Sequence, residues 1–219
     1  MSEFTCESFD QLVRLLKGTR PVRYVQQSIR EAPPVERPAR VSAVAVVVTL
    51  FRGEPHVLLM GRSATASHHP RQIAFPGGGA EGLETSLQTA KRELEEETGL
   101  DFDGLPLSTF CGLGSATYLG SSNNMVTPAY LAVRSLDGEL PELSIDGHEA
   151  AFAEWVPLKD LWKNRDYYYH SDEHLIYSGP AFWLHRGLSD RHRVWGYTAS
   201  ALLALMNALR DGEEIGDDE

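Results

Sequence analysis

Cysteine is nearly absent from this chain of 219 residues, with Cys6 and Cys111 the only two. Two thiols cannot build the multi-bridge framework of small secreted domains, and such sparse usage fits a reducing compartment. Long apolar runs are missing too. The longest, residues 41–51 and 201–206, fall short of the roughly 20 residues that cross a bilayer as a helix. Residues 1–10 are polar and acidic, without the apolar stretch of a secretory signal, and residues 216–219 form no peroxisomal or retention tripeptide. Positive charge is scarce, with 20 Lys+Arg against 31 Asp+Glu and a net charge of −11. That balance argues against nucleic acid and anionic membrane as partners, since both are bound through basic patches. The expectation is a soluble cytoplasmic protein. Any phosphate-bearing ligand would need something other than net charge to hold it, and a divalent cation is the usual answer.

What is present suffices for a sizeable core. At 42% hydrophobic and 23% charged, the chain reads as one globular domain with extensions. Residues 7–17 repeat apolar positions at helical spacing, placing Phe9, Leu12, Leu15 and Leu16 on one side, with Gly18 to end the helix. That face either packs within the chain, the simpler expectation, or meets a second copy in a homodimer. Residues 32–38 carry three prolines and read as an extended connector. A valine-rich run over 41–51 predicts a strand covered on both faces, followed by a turn at 52–55 and a returning strand over 56–60. Further strands are expected over 109–118, 125–133 and 151–156, and a closing helix over 196–209. The division is an N-terminal helix and connector at 1–39, a mixed α/β domain at 40–210 and an acidic tail at 211–219.

Residues 77–100 are the distinctive segment. Gly77, Gly78 and Gly79 precede a short loop, and Thr85 with Gln88 forms a capping box ahead of a helix that Gly99 closes in the left-handed conformation. Leu87, Ala90 and Leu94 make the buried stripe; Glu93, Glu96 and Glu97 emerge together along its border, and Glu95 points away. Like charges at this spacing cost about 0.2–0.5 kcal/mol per exposed pair, and the negative helix C-terminus adds to it. A bound cation would reverse the penalty. Carboxylates suit Mg²⁺ or Mn²⁺, the glycine run lets a backbone carbonyl of Gly77 or Gly78 approach, and Arg92 can hold a carboxylate with its planar fork. A solvated acidic face is the plain alternative for an ordinary Glu-rich run.

Spacing decides between them. Gly78, five residues, Glu84, seven residues, Arg92-Glu93-Leu94, one residue, Glu96-Glu97, one residue and Gly99-Leu100 reproduce the Nudix box. Leaving aside Leu94 and Leu100, where the box asks only for an apolar residue, the seven fixed identities arise by chance at roughly 10⁻⁸ per start position. The segment resembles the Nudix hydrolases, which cleave a nucleoside diphosphate linked to another moiety. The resemblance implies an α/β/α sandwich in which the box forms a loop–helix–loop beside a mixed sheet. It implies that Glu96 and Glu97 are ligands of Mg²⁺ or Mn²⁺, with the Gly77 carbonyl nearby, and that Glu93 is a ligand or the general base. Arg92 would orient those carboxylates, while Gly78, Glu84 and Gly99 support the box. Family members often draw another carboxylate from a loop outside the box. Glu149, just before a "WVPL" pattern at Trp155–Leu158, is the candidate here, and Glu154 its competitor.

A narrower resemblance bears on substrate. Leu58-Leu59-Met60-Gly61-Arg62-Ser63 and, seven residues on, Arg71-Gln72-Ile73-Ala74-Phe75-Pro76-Gly77-Gly78 look like the upstream motif of the coenzyme A pyrophosphatase branch. Trp195-Gly196-Tyr197-Thr198-Ala199 resembles its "WGxTA" helix start. Three positions depart: Met60 stands for a usual threonine, Ser67 for an arginine and Arg71 for a glycine. The branch implies hydrolysis of CoA or acyl-CoA to 3′,5′-ADP and 4′-phosphopantetheine, with Arg62 and Arg71 as candidate phosphate contacts. ADP-ribose or a nucleotide sugar is the alternative substrate, and a non-catalytic nucleotide sensor the alternative class. His68 and His69 read as loop residues, and His170 and His174, four apart, as part of a surface segment rather than a helical metal pair. Cys111 reads as a buried inert thiol.

Overall fold

A computed structural model describes residues 4, 6–18, 27–29, 40–66, 69–145, 147–171, 175–187 and 189–211. The connector at 32–38, tail residues 212–219, Ser67, His68 and His174 lie outside them. In chain order the elements are α1 (Phe9–Lys17), β1 (Gln27–Ile29), β2 (Arg40–Phe51), β3 (Glu54–Arg62), β4 (Ile73–Ala74), β5 (Gly77–Gly79), α2 (Ser86–Thr98), β6 (Thr109–Leu113) and β7 (Thr117–Leu119). A single 3-10 turn at Gly120–Ser122 follows, then β8 (Asn124–Arg134), β9 (Ala150–Pro157), α3 (Leu158–Lys163), β10 (Arg165–Ser171), β11 (Leu175–Arg186), β12 (Asp190–Val194) and α4 (Gly196–Asp211).

The valine run does become a strand covered on both faces. β2 pairs in parallel with β8 from Arg40↔Asn124 to Leu50↔Arg134, while β3 and β5 pair antiparallel along its other edge. The rest of this mixed eight-stranded sheet follows the order β4-β3-β2-β8-β6, with β7 on β8 and β9 on β3. Alternation sends Ala43, Ala45 and Val47 to one side, against Ala90 and Leu94 of α2, and Val46 and Val48 to the other. There they meet Leu12 and Leu16 of α1 and Leu202, Leu205 and Met206 of α4. The result is α/β, with helices on both faces of a mixed sheet. The apolar face of α1 is buried within the chain itself. Between β2 and β3 the chain reverses at Arg52 (φ 52) and Gly53 (φ 77), two left-handed residues whose twist matches the flanking strands.

The structure departs from the sequence reading in one strand and adds a sheet that the reading did not contain. The strand predicted over 109–118 is two strands, because the register slips between Phe110 and Gly112 and the chain leaves the ladder after Leu113. Gly112, at φ 136, takes a backbone conformation that suits glycine, and the Gly114 N–H turns to the Pro128 carbonyl at 2.8 Å. The second departure is an antiparallel sheet of β1, β10, β11 and β12. Its central strand β11 contains Gly179 and Pro180, residues that read as breakers in sequence.

Candidate active site

The site is built where β5 is squeezed between β2 and α2. Gly77 and Gly78 pair with Val44 and Ala43 of β2. A Cβ on Gly77 would lie 2.5 Å from the Ala43 carbonyl oxygen, and one on Gly78 would overlap the Glu93 carboxylate, with Oε2 at 2.7 Å. Only glycine lets this strand run so close to the carboxylates of the helix. The helix begins as its capping box requires: the Thr85 hydroxyl accepts from the Gln88 N–H at 3.3 Å, and the Thr85 N–H donates to Gln88 Oε1 at 2.9 Å. It ends at Gly99, whose φ of 68 is left-handed. Ala90 and Leu94 are buried; Leu87 is partly buried against the same core.

Arg92 holds the first half of the box together. Its Nε donates to Glu84 Oε1 at 2.9 Å, Nη1 to Glu93 Oε1 at 2.9 Å and to Glu96 Oε2 at 2.8 Å, and Nη2 to the Gly79 carbonyl at 2.8 Å. Glu84 Oε2 also accepts from the Glu81 N–H at 2.9 Å and the buried Thr89 hydroxyl at 3.0 Å. The guanidinium first, and the Glu81 N–H next, hold the Glu84 carboxyl down at about 2.

The second half is electrostatically different. Glu97 is only 4% exposed, its Oε2 accepts the Gly77 N–H at 2.8 Å and its Oε1 lies 3.5 Å from Arg62 Nη1. Burial pushes its carboxyl up to about 7 despite those partners, and the charges of Glu93 and Glu149 push the same way. Glu93 is raised as well, mainly by burial, against the pull of Arg92. Glu95 and Glu96 are exposed.

Glu154 lies within β9, and Glu149 comes just before it. Ala153 and Trp155 face the core beneath α2, so Glu154 turns to the opposite side, where its Oε2 accepts from Arg186 Nε at 3.3 Å. Glu149 precedes the strand, beside Arg62, where its carbonyl accepts the Ser63 N–H at 2.8 Å. Arg71 is exposed in a turn at φ 61, and its N–H donates to the Arg62 carbonyl at 3.2 Å, so both arginines border one loop. His69, also at positive φ, is exposed in that loop. His170 lies in β10 rather than a helix, packed against Tyr168 and Trp195, so its spacing to position 174 carries no helical geometry. Burial lifts the Cys111 thiol to about 11, which keeps it protonated and inert.

A divalent cation can be tested against these donors. Among the described residues no three His, Cys, Asp or Glu side chains converge on one point. The carboxylates are instead drawn onto Arg92, Arg62 and the Gly77 N–H. Their chemistry fits a hard cation all the same: carboxylate oxygens are hard donors, and burial, the leading cause, raises the carboxyls of both Glu93 and Glu97. Glu96, with a side chain 58% exposed, has room to exchange its Arg92 contact for a metal. Sequence reasoning missed Thr89 as a support for Glu84 and Arg62 as the partner of Glu97. Nothing in the spacing of residues 62 and 97 signals their pairing.

The NUDIX domain family model matches residues 39–177. This chain belongs to the Nudix family. It is a Nudix hydrolase, and among its relatives is an uncharacterized Nudix hydrolase NudL from Photorhabdus laumondii. The two are 30% identical over 178 residues, covering 77% of this chain and 84% of that protein. A NudL of Yersinia enterocolitica is 31% identical over 168 residues, 74% of this chain and 78% of its own length. Among solved structures, a MutT/nudix family protein from Enterococcus faecalis overlays with a TM-score of 0.47 at 14% identity, over 81% of this chain and 63% of that one. No helix among the described residues of this Nudix hydrolase is long and apolar enough to cross a membrane.

Proposed function

We propose that this Nudix hydrolase cleaves the pyrophosphate linkage of a nucleoside diphosphate derivative with Mg²⁺ or Mn²⁺, and that its substrate is coenzyme A or acyl-CoA. The observation that carries the reaction is the pair of buried Glu97 and half-buried Glu93, set against a glycine strand with their proton affinities raised by desolvation. Glu93, Glu96 and Glu97, with the Gly77 carbonyl, would hold the cation. Bound there, it supplies charge to neutralise the diphosphate and acidify water. Arg92 keeps the carboxylates turned inward, and Glu84, Gly78 and Gly99 keep the loop and helix that carry them in place. Arg62 and Arg71 border the loop from which a phosphate would be met. The water oxygen bonds to one phosphorus as the bridging P–O bond breaks; its proton passes to Glu93 or Glu149, and the second phosphate leaves as the oxyanion.

The CoA assignment rests on the residues from Leu58 to Gly78 and from Trp195 to Ala199 that resemble that branch. ADP-ribose or a nucleotide sugar is favoured instead by Met60, Ser67 and Arg71, and by the engagement of Arg62 with Glu97. A sensor without activity is disfavoured by the complete set Glu84, Glu93, Glu96 and Glu97. The test is a panel of CoA, acetyl-CoA, ADP-ribose, NADH and dinucleoside polyphosphates with Mg²⁺ and Mn²⁺, read by product mass. Release of 3′,5′-ADP with 4′-phosphopantetheine is expected. Products from ADP-ribose alone would overturn the CoA reading.

A further inference from the structure

The connection from β8 to β9, which ends at Glu149, is tied down at several points around α2. The Ser144 N–H donates to the Thr98 carbonyl at 2.8 Å, one residue beyond Glu97. Trp155 Nε1 donates to the Pro141 carbonyl at 2.9 Å, and Leu143 packs on the core that holds Leu94. At its far end the Glu149 carbonyl accepts the Ser63 N–H at 2.8 Å. The last glycine of the box is part of the same junction. A Cβ on Gly99 would lie 2.9 Å from Ser144 Cβ and 3.0 Å from the Ser144 carbonyl oxygen.

Gly99 therefore meets two separate demands. Its φ of 68 asks for a residue at ease in the left-handed region, which asparagine also satisfies. The contact with Ser144 asks for no side chain at all, which asparagine does not satisfy. The geometry points to Gly99, Ser144 and Trp155 as positioning residues that set Glu149 against the box carboxylates by seating its loop on the end of α2. This rests on the reading of Glu149 as part of the catalytic site. The seat lies next to Arg62, which pairs with Ala150 across the sheet and whose Nη1 is 3.5 Å from Glu97 Oε1. The box helix and the loop that carries Glu149 are then one mechanical unit, joined at the residue after Thr98.

The test uses the full-length protein and the panel substrate that the wild type turns over fastest. Gly99→Asn should lower kcat by about tenfold to a hundredfold, the scale of a misplaced reacting group. KM, and the affinity for Mn²⁺ alone measured by calorimetry, should stay within about twofold, since neither depends on the loop. Adding Ser144→Gly should restore part of the loss, because it removes the nearest clashing atom and leaves the backbone carbonyl oxygen of residue 144 at 3.0 Å. Gly53→Asn, at a left-handed glycine with open space around it, should have no effect. Trp155→Phe should lower kcat less, and both Gly99→Asn and Trp155→Phe should speed amide exchange at Leu143–Ser144 in the metal-free protein. Wild-type kcat in Gly99→Asn and Trp155→Phe, or a matching loss of Mn²⁺ affinity, would overturn the inference while leaving the function standing. Normal turnover by Glu149→Gln would instead remove the role of Glu149, and the inference with it. No turnover of any panel member would sink the functional reading itself.

Discussion

Two halves of one motif treat the same side chain in opposite ways. Glu84 lies at the loop end of the box and is held at about 2, with the Arg92 guanidinium as the leading cause. Glu97, near the end of the helix, rises to about 7, with burial as the leading cause. Both are glutamates with hydrogen bonds to backbone N–H groups. The difference is in counter-charge: Arg92 closes on Glu84 with two nitrogens, whereas Arg62 reaches Glu97 at 3.5 Å, too far to offset its desolvation. The first half behaves as a clamp, complete in itself. The second holds repulsion in reserve, the condition in which a divalent cation is bound most strongly. Glu93 joins the two, sharing Arg92 Nη1 with Glu96 while burial still raises its proton affinity.

Neutralising the reactive half should have the largest effect. Glu97→Gln should reduce turnover by about 10³-fold, the range for loss of a positioned charged group at a metal-assisted centre. Yet the metal-free variant should be more stable than wild type at pH 8. The sign follows from the direction of the shift. A carboxyl whose folded pKa lies above its unfolded value, about 7 against 4.5, stabilises the fold fully below 4.5 and loses that contribution as pH rises through 7. Thermal melts from pH 4 to 8 should show the two proteins drawing apart across that window, and saturating Mn²⁺ should close the gap for wild type. A variant less stable than wild type at every pH would break the comparison.

Crowding the junction of the halves comes next. Gly78→Ala places a methyl group where the Glu93 carboxylate now lies, so that carboxylate must swing away while β5 keeps its pairing with β2. Turnover should fall by about tenfold to a hundredfold, as expected for displacement of a reacting group. Circular dichroism should remain that of wild type. Arg92→Lys attacks the clamp and should cost about tenfold in turnover, because a single ammonium cannot replace a fork that meets three carboxylates. Here the sign with pH is reversed. Glu84 stabilises the fold above its unfolded value of 4.5 and loses that contribution as pH falls toward 2. The lysine variant should therefore melt below wild type at neutral pH, and the difference should shrink in acid. Melting curves at pH 7 and pH 3 decide it.

The clamp was more legible in sequence than the reactive half. Residue types and spacing announced the helix, its capping box and its left-handed end, because each is a local requirement of backbone geometry. β2, β3, β8 and β9 were legible for a similar reason, their apolar runs being long enough to reveal a buried strand. β5 was not, since three glycines carry no side-chain pattern, and neither was the sheet around β11. There Tyr167, Tyr168 and Tyr169 put aromatic rings on both faces, and Pro180 interrupts the strand signal. The Arg62–Glu97 pair joins residues 35 positions apart through the fold alone, and no local rule reports such a contact. The same holds for Ser144 under Gly99.

Sheet alternation permits a final, smaller test, on the far side of β9 from α2. Glu154 and Glu149 sit five positions apart in sequence and compete as the extra carboxylate of the site, but Glu154 shares its face with Phe152 and Arg186. Glu154→Gln should leave kcat and KM within about twofold of wild type, since its side chain is on the face of β9 opposite α2 and the box carboxylates. Its cost falls on stability. The ion pair with Arg186 is about one-third exposed on both partners, which limits its worth to about 0.2–1 kcal/mol and its loss to a few degrees in Tm. Glu149→Gln should show the reverse, a slow enzyme with an unchanged melting temperature. If Glu154→Gln were the slow variant, the strand would have to present its other face to the carboxylates, and the contrast between the two halves of the box would need a different third partner.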